Sequence, residues 1–181
     1  MITKFKIIQS SPPHTGSTLL LNLIHGYLSP DEIIHWNTEK LIDKFLITKT
    51  HNTNIEFWEK TYPQYKLFFI MSERNDDKIK KMINSKYRQK SNVLIINYDK
   101  LLVNDNSQKN LINYIFNQFN DFIPKELKPN KDDDLIKDDI EKRLNIMNET
   151  VEKMKHKKFC EWDKFTGIHG SHRNRGPYFD F

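Results

Sequence analysis

Ser11-Pro12-Pro13-His14-Thr15-Gly16-Ser17-Thr18 is the stretch from which the rest of this 181-residue chain can be read. It lies between Lys4-Phe5-Lys6-Ile7-Ile8-Gln9, a short run of β-favouring residues, and Leu19-Leu20-Leu21-Asn22-Leu23-Ile24, which continues as an apolar helix face. The order is therefore strand, turn, helix. Pro12 and Pro13 stop the strand, and Gly16 permits an unusual φ or a close backbone approach. Ser17 and Thr18 put hydroxyls and unpaired N–H groups at the helix start, where anions are attracted.

Against the phosphate-binding loop pattern G-x-x-x-x-G-K-[ST], the segment has Ser11 for the first glycine, keeps Gly16 and Thr18, and carries Ser17 where the lysine stands. A conventional ATPase or GTPase would lack its main β/γ-phosphate contact. Three more apolar runs each end in a polar cluster. Phe45-Leu46-Ile47-Thr48 leads into Lys49-Thr50-His51-Asn52, Leu67-Phe68-Phe69-Ile70-Met71 into Ser72-Glu73-Arg74-Asn75, and Val93-Leu94-Ile95-Ile96 into Asn97-Tyr98-Asp99. In an open parallel sheet ligands bind at the C-terminal strand edge, so Lys49, His51 and Arg74 can converge on the turn.

This series of motifs resembles the sulfotransferases that use 3′-phosphoadenosine 5′-phosphosulfate (PAPS). Their P-[KR]-[ST]-G-[ST]-[ST] turn is similar to Pro13-His14-Thr15-Gly16-Ser17-Thr18, their K-T-H to Lys49-Thr50-His51, their R-N to Arg74-Asn75, and their Y-[ED] to Tyr98-Asp99. The resemblance covers roughly the first hundred residues, counted from these motifs, and Arg173-Asn174-Arg175-Gly176 looks like the family's basic C-terminal loop. It implies a P-loop-NTPase-like sulfotransferase fold, a three-layer α/β sandwich with a central parallel sheet; the length predicts a single domain over residues 1–181. It also implies transfer of a sulfuryl group from PAPS to a hydroxyl or amine acceptor, leaving adenosine 3′,5′-bisphosphate (PAP), with no metal. By this resemblance Thr15, Gly16, Ser17 and Thr18 hold the 5′-phosphosulfate. Arg74 holds the 3′-phosphate, helped by Arg173, Arg175 and Gly176, and Tyr98 contacts the adenine. His51 is the general base, and Lys49 stabilises charge on the transferring group.

The residue types suit that chemistry. A histidine with a pKa near ~6.5 is matched to deprotonating a hydroxyl during attack. Fixed cations and backbone donors answer the charge that builds on peripheral and leaving oxygens. His14 departs from the family's lysine or arginine and is expected to contact the leaving phosphate. Met82 stands where the family carries a serine after its R-N arginine, with Ser85 one turn further on, and Leu19 replaces an aromatic that often follows the turn. Bland alternatives remain beside each reading. His51 can be a hydrogen-bonded structural histidine, Arg74 can pair with Glu73, Asp76 or Asp77, and Tyr98 can be a core-edge aromatic.

After the fourth strand, Asn110 to Phe119 carry an apolar stripe, and Pro124 and Pro129 mark a break. Ile136, Ile140, Leu144, Met147, Val151 and Met154 recur at three-to-four spacing, as on a helix packed against the domain or a second copy of the chain. Three of the five glycines fall in Phe165–Gly176 among His169, His172, Arg173 and Arg175, a composition suited to a backbone anion nest. One cysteine allows no intrachain disulfide, and no signal segment or stretch of transmembrane length is visible, so a cytoplasmic protein is expected. The net charge of +5 and pI near 9.1 suit a polyanionic donor or an acidic acceptor. The expected partner is a small-molecule or glycan acceptor, not nucleic acid or membrane, with a homodimer compatible. Two rival readings are a P-loop-like nucleotide or nucleoside kinase and a catalytically inactive anion-binding module.

Overall fold

The structure, a computed structural model, describes residues 5–13, 15–28, 35–36, 46–99, 108–128 and 139–149. Among the described residues five strands, β1 (Phe5–Ser10), β2 (His35–Trp36), β3 (Ile47–Thr50), β4 (Lys66–Glu73) and β5 (Val93–Asn97), form one sheet in the order β2-β3-β1-β4-β5. Every pairing is parallel. Parallel neighbours need crossovers, and here helices supply those the structure describes. They are α1 (Ser17–Leu28) after β1, α2 (Ile55–Thr61) after β3, and α3 (Asp77–Met82) with a 3-10 turn at Ser85–Gln89 after β4. Beyond β5 come α4 (Gln108–Phe122) and a helix over residues 139–149, α5.

Strand parity sorts the apolar residues onto two faces. Ile7, Ile47, Phe68, Ile70 and Ile96 share one core with α1, α4 and α5, while Ile8, Leu67, Phe69 and Met71 share another with Ile55, Trp58, Ile83 and Tyr87. Helices thus cover both faces of a central sheet. Helix α1 buries every residue except His25, as expected of a helix apolar all round and packed on several sides. Tyr27 at its end meets Phe116 and Phe119 edge-on, and Arg143 of α5 lies over the same ring at 5.4 Å. A Cβ at Gly26 would stand 3.2 Å from Ile146 and Met147, so this glycine sets how closely α1 and α5 approach.

The apolar stripe expected beyond the fourth strand lies in α4, with Ile112, Ile115, Phe116 and Phe119 buried, and the chain breaks at Pro124. Met147 is buried on α5, with Ile140 and Leu144 packed against the same core; Ile136, Val151 and Met154 lie outside the described residues. The four strands read from the sequence all run past their expected C-terminal ends: β1 to Ser10, β3 through Lys49 and Thr50, β4 to Glu73 and β5 to Asn97. The two-residue strand β2 has no counterpart in the sequence reading.

The chain leaves β1 toward the face covered by α1, but leaves β3 and β4 toward the face covered by α2 and by Ile83 and Tyr87. Adjacent strands whose exits diverge leave a crevice beyond their C-terminal ends. Here β1 diverges from both neighbours, so the turn after it stands at the point where ligands bind in sheets of this kind.

Candidate anion-binding site at the strand edge

The turn is held from three directions. Ser11 extends the pairing of β1, its N–H bonding Thr50 O at 3.2 Å, and its hydroxyl accepts the Ser72 N–H at 2.8 Å. The Thr15 hydroxyl, fully buried, donates to Pro12 O at 2.8 Å and lies 2.8 Å from the Ser72 hydroxyl. Gly16 has φ +77°, in the left-handed region, and a Cβ there would stand 3.1 Å from the Tyr98 ring. Glycine is needed on both counts. The first helical bond runs from Leu20 N–H to Gly16 O at 3.0 Å. The N–H groups ahead of Leu20 are therefore those that an anion can take, at the positive end of the α1 dipole.

The cation absent from the turn arrives from the next strand. Register sets Lys49 beside Gln9, and parity places it on the same sheet face as Ile47 and α1. Its Nζ donates to Thr18 Oγ1 at 3.0 Å. Only 2% of Lys49 is exposed, and burial lowers its pKa from 10.5 to about 7. Burial disfavours the ammonium, and a bound anion would restore it.

His51 follows directly after β3 and is exposed, yet its ring is tied down: Nδ1 lies 2.8 Å from Ser11 O. A carbonyl oxygen only accepts, so Nδ1 carries the proton and Nε2 keeps the basic lone pair. The loop beneath is well bonded. Asn52 O accepts from Ser10 Oγ at 2.6 Å and from Trp58 Nε1 at 3.2 Å, and Asn52 N–H donates to Thr50 Oγ1 at 3.0 Å. Asn54 caps α2 by accepting from Phe57 N–H.

On the other side of β1, Arg74 follows directly after β4. It pairs with Asp99, Nη1 to Oδ1 at 3.5 Å, and not with Glu73, Asp76 or Asp77. Asp99 also accepts the Asn75 N–H, so the Arg74-Asn75 and Tyr98-Asp99 motifs form one structural unit. The Arg74 Nε is buried with no hydrogen-bond partner among the described residues. Glu73, buried beside it, would oppose an anion if left unbalanced. Arg88 forks onto both of its carboxylate oxygens, and Asn97 Nδ2 donates to it at 3.4 Å.

Tyr98 is only 3% exposed and its ring stands behind Gly16, at the edge of the core. Burial pushes its phenol far above the ordinary tyrosine range, with nearby Arg74 offsetting little of that, and its hydroxyl has no partner among the described residues. The structure therefore brings Thr15, Gly16, Ser17, Thr18, Lys49, His51, Arg74 and Tyr98 to one edge of the sheet. His14, Arg173, Arg175 and Gly176 lie outside the described residues. Met82 and Ser85 line an open pocket of about 600 Å³ and not the turn.

Sequence reasoning missed Ser72, Asp99 and Gln9 as site residues. Ser72 buttresses Thr15, Asp99 joins two motifs, and the Gln9 amide donates to the Ser11 hydroxyl while its Oε1 is buried without a partner among the described residues. A usable signal was present: hydroxyl residues end three adjacent apolar strands at Ser10-Ser11, Thr50 and Ser72. Among the described residues no group of three His, Cys, Asp or Glu side chains could hold a metal ion, and no helix is long and apolar enough to cross a membrane. No family model, curated protein or solved structure matches the chain.

Proposed function

We propose that this protein is a PAPS-dependent sulfotransferase of the P-loop-like α/β type, acting on a hydroxyl or amine acceptor. The observation that carries the reading is the convergence on one turn of a buried lysine and a tautomer-fixed histidine, Lys49 Nζ on Thr18 Oγ1 at 3.0 Å and His51 Nδ1 on Ser11 O at 2.8 Å. The chemistry of the donor set fits a nucleotide with two separated phosphate groups. Lys49, the hydroxyls of Ser17 and Thr18 and the α1 N-terminus suit the 5′ end, and the orphaned Arg74 Nε across β1 suits the 3′-phosphate.

When bound, PAPS supplies an activated sulfuryl group, whose bond to the bridging phosphate oxygen breaks as a bond from the acceptor oxygen or nitrogen to sulfur forms. His51 Nε2 takes the acceptor's proton, and the Ser11 carbonyl holds the resulting imidazolium through Nδ1–H. Lys49, protonated beside the anion, stabilises charge on the peripheral and leaving oxygens. In so dry a position that charge is worth more than it would be in water. Gly16 lets the backbone close to the anion, and Tyr98 keeps the turn from collapsing inward. His14 is assigned to the leaving phosphate by its place in the turn.

The kinase alternative requires the Thr18 hydroxyl for a nucleotide-bound magnesium ion, but that hydroxyl oxygen accepts a hydrogen bond from Lys49 Nζ. The experiment that tests the reading is transfer of labelled sulfate from PAPS to a panel of hydroxyl and amine acceptors, with His51→Ala beside the parent. Transfer by the parent and its loss in the variant support the assignment; equal transfer by both removes His51 as base, and no transfer to any acceptor leaves a binding module.

A further inference from the structure

We infer that the open pocket behind the strand edge is the acceptor subsite and that it selects an acidic acceptor, a hydroxyl-bearing molecule with its own carboxylate or comparable anion. The inference rests on the sulfotransferase reading. The pocket, of about 600 Å³, is lined by Lys80, Lys81, Met82, Asn84, Ser85 and Arg88, with Asp77 and Ile83 completing it. It is joined to both halves of the candidate site. The Thr53 hydroxyl, two residues after His51, donates to Met82 O at 2.9 Å. Arg88 grips Glu73, the residue immediately before Arg74.

The charge in the pocket is specific. Arg88 is committed to Glu73, but among the described residues no carboxylate pairs with Lys80 or Lys81. Neighbouring cations do have such partners, Lys86 with Glu56 and Lys90 with Glu59. Met82, 48% exposed, adds an apolar surface between the two lysines and Ser85. Two lysines and Arg88 outnumber the one lining carboxylate, Asp77, and two ammonium groups beside an apolar wall suit a ligand that combines an anionic group with a less polar body, such as an acidic sugar ring or an aromatic acid. Arg74, the turn and His51 are not among the lining residues, so the pocket is separate from the donor's phosphate contacts and holds the acceptor's anionic group, not its reacting hydroxyl.

A matched pair of probes tests this: 4-nitrophenyl β-D-glucuronide and 4-nitrophenyl β-D-glucoside differ by a carboxylate and share their hydroxyls. Each is titrated calorimetrically at low ionic strength, with and without saturating PAP, against the parent and Lys80→Gln/Lys81→Gln. Two exposed ion pairs of ordinary strength favour the glucuronide by about 5–10-fold, and screening reduces that preference at high salt. The double variant loses the preference and keeps its PAP affinity and melting temperature. Equal binding of the two probes, no binding of either, or a preference that survives in the double variant overturns the proposal. A double variant with weakened PAP affinity also overturns it, by assigning the pocket to the donor. Failure of PAP to bind the parent instead counts against the sulfotransferase reading, while the ligand-free titrations still decide the pocket's preference.

Discussion

Burial holds Lys49 near pKa 7 in the free protein, so binding of a phosphate-bearing nucleotide must be coupled to proton uptake. Bound beside phosphate, the amine's pKa rises back toward its ordinary 10.5, because opposite charge favours the ammonium. The second ionisation of a phosphate monoester lies near ~6, so PAP is fully charged from pH 7.5 upward and only the protein titrates there. With a free pKa of about 7, the protonated fraction of Lys49 falls by about 20-fold between pH 7.5 and 9.0, and affinity should fall with it. At pH 8.0 each binding event should take up about 0.9 proton, read by calorimetry in buffers of different ionisation enthalpy. Lys49→Met should bind PAP more weakly at pH 7.5 and show little pH dependence above it. A flat affinity in the parent, with no proton uptake, would refute the argument that Lys49 faces the bound anion.

Lys49 also makes stability depend on pH in a defined direction. Its folded pKa lies below the unfolded value, so the cost to folding is complete below about pH 7, shrinks as pH rises, and vanishes above about 10.5; Lys49→Met should therefore raise the melting temperature most at pH 6, and an equal effect at pH 6 and 10 would contradict this. Gly16→Ala meets the left-handed φ and the Tyr98 ring together, and should cost about 1–2 kcal/mol or more, a fall of about 2–8 °C in melting temperature, with loss of PAP binding; an unchanged melting curve would show that the turn is not strained. His51→Gln should lower kcat by about 100-fold or more while PAP affinity, measured by calorimetry, changes little. Arg74→Ala should weaken PAP by at least about tenfold and leave AMP nearly unaffected, since charge-assisted bonds to phosphate are the strong ones; parallel losses for both nucleotides would remove Arg74 from the 3′-phosphate.

Much of the architecture was legible because each strand is a short apolar run closed by polar residues. The four runs identified in sequence became β1, β3, β4 and β5, and parallel pairing then gathers their ends on one edge. What escaped is informative in each case. Strand β2 is two residues long, too short for any periodicity. The apolar run ends at Thr48, before the charged Lys49, yet the strand continues to Thr50 with Lys49 inside; its amine is accommodated by Thr18 and a shifted pKa. Asp99 was visible as half of a motif, but its bond to Asn75 joins residues 24 apart, which no local pattern reveals. Tyr98 illustrates the opposite limit, since a motif position cannot tell whether a ring faces ligand or backs the turn.

The account stands on the turn recognising a 3′-phosphorylated adenosine nucleotide, and ligand-induced thermal stabilisation measures that most directly. PAP and ATP with magnesium are compared side by side at pH 7.0. At one hundred times its Kd, PAP should stabilise the fold by about 2.7 kcal/mol, a shift of about 5–10 °C for a domain of this size, while ATP with magnesium produces a much smaller shift. Stabilisation by ATP with magnesium alone would contradict the account.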